Sequence, residues 1–157
     1  MKTTYYYNSP IGTIKLVCNE NFLQEMEFTD ETGENSQKQS KVISTCKEQL
    51  DRYFAGKLTK FNIPLDIVKG TAFQRNVWKA LQSIPYGETR SYKEIAIQIG
   101  NPKAVRAVGG ANNKNPIGIV IPCHRVIGSN GKLVGYASGL DKKEMLLKIE
   151  ADFAHYL

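Results

Sequence analysis

The chain has 157 residues, of which 41% are apolar and 23% charged, a balance that suits one ordinary domain or two small ones and not a disordered chain. It has no apolar run long enough to span a bilayer, and the opening MKTTYYYNSP lacks a signal-type apolar stretch, which argues against a membrane span and against secretion. The formal charge of +6 is unevenly spread: residues 1–68 hold 8 Lys/Arg and 9 Asp/Glu, whereas residues 69–157 hold 13 and 6. A basic C-terminal half predicts a polyanionic partner, nucleic acid first, against the plainer reading of a solvated basic face.

In chain order, residues 5–18 read as two strands about a Ser9-Pro10-Ile11-Gly12 turn, and Phe22–Phe28 as a third. Residues 29–40 are polar and predict a surface loop. Val42, Ile43, Cys46, Leu50, Tyr53 and Phe54 recur at helical spacing, and Gly56 stops that helix. Residues 62–68 suit a short extended segment. A boundary falls near residues 65–70, giving domains 1–68 and 69–157. In the second, Thr71-x-x-Gln74 is a capping box ahead of an apolar face formed by Phe73, Val77, Trp78, Leu81 and Ile84. Ser91-x-x-Glu94 is another, ahead of Tyr92, Ile95, Ala96 and Ile99. Asn101-Pro102 predicts the cap and first turn of a helix over about 103–112 with a small-residue inner side. Two short helices about a glycine-containing turn in a basic region outline a helix-turn-helix. Ile117–Ile121 reads as a buried strand, and Asp141-x-x-Glu144 as the cap of a last helix carrying Leu146, Leu147 and Ile149.

Cys18, Cys46 and Cys123 are an odd number at irregular spacing, which predicts free thiols in a reducing, cytoplasmic (or nuclear) compartment. Cys18 and Cys46 sit on apolar stretches and read as inert core residues. Cys123 differs: a proline precedes it, and His124 and Arg125 follow. A thiol is strongly nucleophilic only as thiolate, and neighbouring positive charge and a histidine both favour that form.

Pro122-Cys123-His124-Arg125-Val126 resembles the active-site motif of the O6-alkylguanine-DNA alkyltransferases, the methylated-DNA–protein-cysteine methyltransferases. The similarity extends to Ile84-Pro85-Tyr86-Gly87-Glu88, Ser91-Tyr92, residues 101–111, Asn115-Pro116 and Glu150, in order and spacing. It implies an α+β fold, with a small RNase-H-like N-terminal α/β domain before a winged-helix-like, helix-turn-helix C-terminal domain. It implies a single-turnover transfer of the alkyl group from O6-alkylguanine, with O4-alkylthymine as a second substrate, to Cys123. His124 relays the thiol proton through a water, Glu150 orients His124, and Tyr92 donates to guanine N3. The resemblance makes Arg106 the finger inserted when the base is flipped from the stack, as chemistry on a stacked base requires. Ala104, Ala107 and Gly109 would let that helix approach the minor groove of double-stranded DNA. Asn115 would tie this helix to the active-site strand. Val126, Tyr136, Ala137 and Ser138 would line the base pocket, with Ala137 where the family often has serine and Ser138 where it often has glycine. Arg125 is expected to be a structural ion-pair partner.

No cofactor and no metal are implied; two cysteines and no histidine in residues 1–70 do not make a four-ligand zinc site. A monomer is expected. Two rivals are a lesion-binding protein that transfers nothing, set back by the presence of Cys123, and a thiol hydrolase. On a strand, adjacent Cys123 and His124 would point to opposite sides, which makes direct pairing awkward for the hydrolase.

Overall fold

The computed structural model describes residues 2–36 and 40–154. The chain divides into two compact units, residues 1–68 and 69–157.

In the first unit, β1 (Thr3–Ser9), β2 (Gly12–Cys18) and β3 (Leu23–Phe28) form an antiparallel sheet in the order β1-β2-β3. The Ser9 hydroxyl closes the first hairpin, accepting from the Ile11 N–H at 3.2 Å and donating to the Gly12 carbonyl at 2.6 Å. Gly12 itself lies at φ 136°, where a side chain is strained. Helix α1 (Lys41–Phe54) is capped by Ser40, whose side chain accepts from the Ile43 N–H, and ends at Gly56 with φ 73°. Its Val42, Ile43, Cys46, Leu50 and Tyr53 join Ile14, Leu16, Leu23 and Met26 in the core. The extended stretch over 62–68 makes only one parallel bridge, Leu65 to Leu23. Cys18 and Cys46 are neighbours inside this core, and all three cysteines are free. Of the expected 29–40 loop, residues 37–39 lie outside the described residues.

The second unit begins with α2 (Ala72–Leu81). Thr71 and Gln74 form the expected capping box, and Val77, Trp78, Ala80 and Leu81 are buried. The strand β4 (Arg90–Ser91) leads into α3 (Tyr92–Gln98) through the Ser91/Glu94 box. Helix α4 (Val105–Asn113) follows, and α2 and α3 both pack against it. The Trp78 indole N–H donates to the Ala111 carbonyl at 2.8 Å, fastening α2 to α4. A single 3-10 turn spans Cys123–Arg125, and β5 (Val126–Ile127) pairs in parallel with β4. Helix α5 (Leu140–Ala154) closes the unit.

Three expectations need correction. Asn101 does not cap α4. Its N–H closes α3 onto the Ala96 carbonyl and its own carbonyl accepts from Ala104, so Asn101 and Pro102 are consumed in a turn and Ala104 stands at the cap position. Asp141 does not cap α5, which already starts at Leu140 and places Asp141 in its first turn. Finally, Ile117–Ile121 is buried but is not a strand. Val120 N–H bonds Gly118 O, Ile121 N–H bonds Ile117 O, and the Asn115 carboxamide takes the Ile117 N–H at 3.0 Å and the Ile121 carbonyl at 2.7 Å. These bonds wind the segment back on itself, and Ile117 alone of the five takes part in a β-bridge. Ile119 takes φ 70°, a left-handed conformation that a β-branched residue adopts only under strain.

Candidate active site

The wound loop delivers Cys123, His124 and Arg125 on one 3-10 turn, all three buried. The strand argument for Cys123 and His124 pointing apart therefore does not apply. His124 is held by a carboxylate instead: its Nε2 meets Glu150 Oε2 at 2.6 Å. A carboxylate only accepts, so the imidazole proton resides on Nε2 and Nδ1 is left as an acceptor. That Nδ1 is buried and has no hydrogen-bond partner among the described residues.

Glu150 sits on α5 and is 1% exposed. Besides His124 it accepts from Arg125 Nε at 2.7 Å, from Arg125 Nη2 at 3.1 Å and from the Gly87 N–H at 3.3 Å. Burial alone would raise its pKa, but His124 and Arg125 override that and hold it well below the usual carboxylate range. Arg125 also donates to the Ile84 carbonyl at 2.7 Å, so it binds α5, the 3-10 turn and the end of the α2 segment together. This agrees with its expected structural part.

Burial pushes the His124 pKa down, against the opposing pull of Glu150, so the ring is neutral and able to accept a proton at pH 7. Burial pushes the Cys123 thiol up. The Asn115 side chain, the Lys143 charge and the N–H groups of residues 123 and 124 pull it back only in part. The resting thiol is therefore protonated and needs a base.

Across the site, the Tyr92 hydroxyl donates to the Val134 carbonyl at 2.7 Å. Lys143, which sequence reasoning missed, is fully buried on α5. Its ammonium donates to the same carbonyl at 2.8 Å and to the Tyr92 oxygen at 3.4 Å, with no carboxylate partner among the described residues. Burial brings its pKa down to about 8 despite the Cys123 thiolate's opposing effect. The signal was present: Lys143, Leu146 and Glu150, at i, i+3 and i+7, share one helix face, and that face is buried. With Arg125 and Lys143 positive and Glu150 negative, the buried site carries one net positive charge, which a thiolate at Cys123 would neutralise.

The remaining expected residues fall as follows. Asn115 touches the Cys123 side chain, and its amide also bonds the Ile117 N–H and the Ile121 carbonyl. Val126 is buried on β5. Tyr136 is half-buried near the Cys123 side chain; its burial and the charges of Cys123 and Glu150 raise its pKa well above normal. Ala137 is exposed and Ser138 half-buried in a turn closed by Gly139 N–H to Tyr136 O. Arg106 and Ala107 are exposed on α4, with Ala104 half-buried before it. A Cβ on Gly109 would meet the Tyr92 ring at an ordinary 3.9 Å, and one on Gly110 would meet nothing, so packing within the unit does not explain these glycines. Among the described residues no group of three or more His, Cys, Asp or Glu is placed to hold a metal ion.

Two family models cover the chain: 6-O-methylguanine DNA methyltransferase, ribonuclease-like domain, over residues 1–67, and 6-O-methylguanine DNA methyltransferase, DNA binding domain, over residues 72–152. The methylated-DNA–protein-cysteine methyltransferase of Methanosarcina barkeri is 55% identical, with 92% of this chain and 96% of that protein aligned. The protein of the same name from Mycolicibacterium paratuberculosis is 54% identical over 91% and 88%. Among solved structures, Mycobacterium tuberculosis O6-methylguanine methyltransferase superposes with a TM-score of 0.87 at 48% identity, covering 97% of this chain and 94% of that one. Mycobacterium tuberculosis OGT in complex with DNA gives 0.85 at 48%, covering 94% and 92%. With both halves matched in order, and the thiol, imidazole and carboxylate gathered in the second, the chain belongs to the methylated-DNA–protein-cysteine methyltransferase family.

Proposed function

We propose that this protein repairs alkylated DNA by a single, irreversible transfer of the alkyl group from guanine O6 to Cys123. The observation that carries the reading is the buried relay: a protonated thiol beside a neutral His124 whose Nε2–H is fixed on Glu150 and whose Nδ1 is uncommitted. His124 Nδ1 takes the thiol proton through a water. The sulfur forms a bond to the alkyl carbon as the carbon–O6 bond breaks and its electron pair passes into the guanine ring. Tyr92 donates its hydroxyl proton to guanine N3, and Lys143 Nζ, 3.4 Å away, returns one to the tyrosine oxygen. The thioether has no leaving group that water can displace, so each molecule acts once and needs no cofactor.

DNA is the partner. The base leaves the duplex to reach the buried sulfur. Arg106, exposed on α4, fills the gap from the minor groove, and the small residues Ala104, Ala107 and Gly109 bring the helix close. Asn115 contacts the thiol, while Val126, Tyr136, Ala137 and Ser138 bound the flipped base. O4-alkylthymine is a second substrate, and the protein works as a monomer. The discriminating experiment is Cys123→Ala with duplex holding one O6-methylguanine. The variant binds the lesion duplex and leaves the methyl group in place, whereas the wild type removes it. A variant that still clears the lesion would refute Cys123 as acceptor.

A further inference from the structure

Asn112 lies on the inner side of α4, 2% exposed, and no step above employs it. Its Nδ2 donates to the Cys123 carbonyl at 3.3 Å, and the same carboxamide lies near the Tyr92 hydroxyl. Its Oδ1 is buried with no partner among the described residues. A buried amide left half-satisfied is unfavourable, and an apolar side chain of similar size would fill the same buried space without that cost. What the amide adds is one bond to the backbone of the nucleophile and a polar group beside the proton donor. Asn115 does not supply this link, because its amide is engaged within the 117–121 loop.

We infer that Asn112 is a positioning residue that ties helix α4 to both the Cys123 turn and Tyr92, holding nucleophile and proton donor in one fixed relation on the helix that carries Arg106. This role rests on the reaction proposed above. It places both contacts on the element that meets DNA, so that seating the helix and aligning the reacting groups are one event.

The test is single-turnover transfer from duplex O6-methylguanine by the full chain, with DNA affinity measured separately. Asn112→Leu is expected to keep its affinity for undamaged duplex and the reaction of its thiol with iodoacetamide, which needs no Tyr92. Its transfer rate at saturating lesion is expected to fall roughly tenfold to a hundredfold, the loss that about 1 Å of misplacement brings. A residue that merely fills the core would lower the melting temperature and leave the rate of the folded protein unchanged. Asn112→Ser serves if leucine is not accommodated. An unchanged rate at saturation, a deficit wholly due to weaker DNA binding, a parallel fall in iodoacetamide reactivity, or failure of both variants to fold would each overturn the inference. A wild-type protein that leaves the lesion intact would defeat the reaction itself. Equal transfer by wild type and variant would defeat the role of Asn112 alone.

Discussion

Replacing Glu150 by glutamine keeps the shape of the side chain and removes its charge. The carboxylate is 1% exposed and accepts from Arg125 Nε and Nη2, from His124 and from the Gly87 N–H. The variant leaves the Arg125 guanidinium, itself 6% exposed, without a counter-charge. Removing one member of a buried pair costs about 3–5 kcal/mol. For a domain of this size that is roughly 6–20 °C in melting temperature, at about 2–4 °C per kcal/mol. The same change alters the pH dependence. The folded pKa of Glu150 is depressed, so its stabilisation is complete above the ordinary value of 4.5 and is lost as pH falls below it. His124 is also depressed in the folded state, so acidification through its ordinary 6.5 begins to destabilise the native protein earlier. Wild type should therefore lose stability in two acid phases, and Glu150→Gln should lack the lower one. Transfer should slow as well, because glutamine can donate to His124 Nε2 and shift the ring proton to Nδ1, where the base is needed. Thermal melts from about pH 2 to 8 and single-turnover transfer at neutral pH check this. A melting temperature within about 2 °C of wild type, which corresponds to under about 1 kcal/mol, would refute the reasoning.

Other consequences follow from single contacts. Arg106→Ala should leave stability within about 0.5 kcal/mol, since the side chain is exposed. It should slow transfer from duplex but not from the free base, and lower the salt dependence of duplex binding by about 0.9 in log–log slope. Tyr92→Phe should lose only about 1 kcal/mol, because Lys143 still donates to the Val134 carbonyl, yet slow transfer by about a hundredfold, which single-turnover rates would show. Ser138→Gly should speed reaction with O6-benzylguanine by widening the pocket; no gain in the variant would remove Ser138 from the pocket wall.

Where the sequence was legible, local chemistry and tertiary packing agreed. Thr71/Gln74 and Ser91/Glu94 capped their helices because each pair satisfies two backbone donors without help from elsewhere. The apolar spacings of α1 and α2 gave the correct buried faces. The 117–121 segment misled because an apolar run shows burial and not conformation, and the deciding group, the Asn115 amide, sits outside the run. The Asn101 cap failed because Asn101 was already engaged in ending the preceding helix. Lys143 and Asn112 were passed over because a lysine or an asparagine in a helix is usually solvated, and only the packing of α4 and α5 shows that these two are inside.

Intact-protein mass after mixing with duplex DNA holding one O6-methylguanine, followed by peptide mapping, tests the central claim most directly. The account predicts one added methyl group, located on Cys123 and saturating at one equivalent per protein. An unchanged mass despite tight, lesion-selective binding, or a methyl group on any other residue, would contradict it.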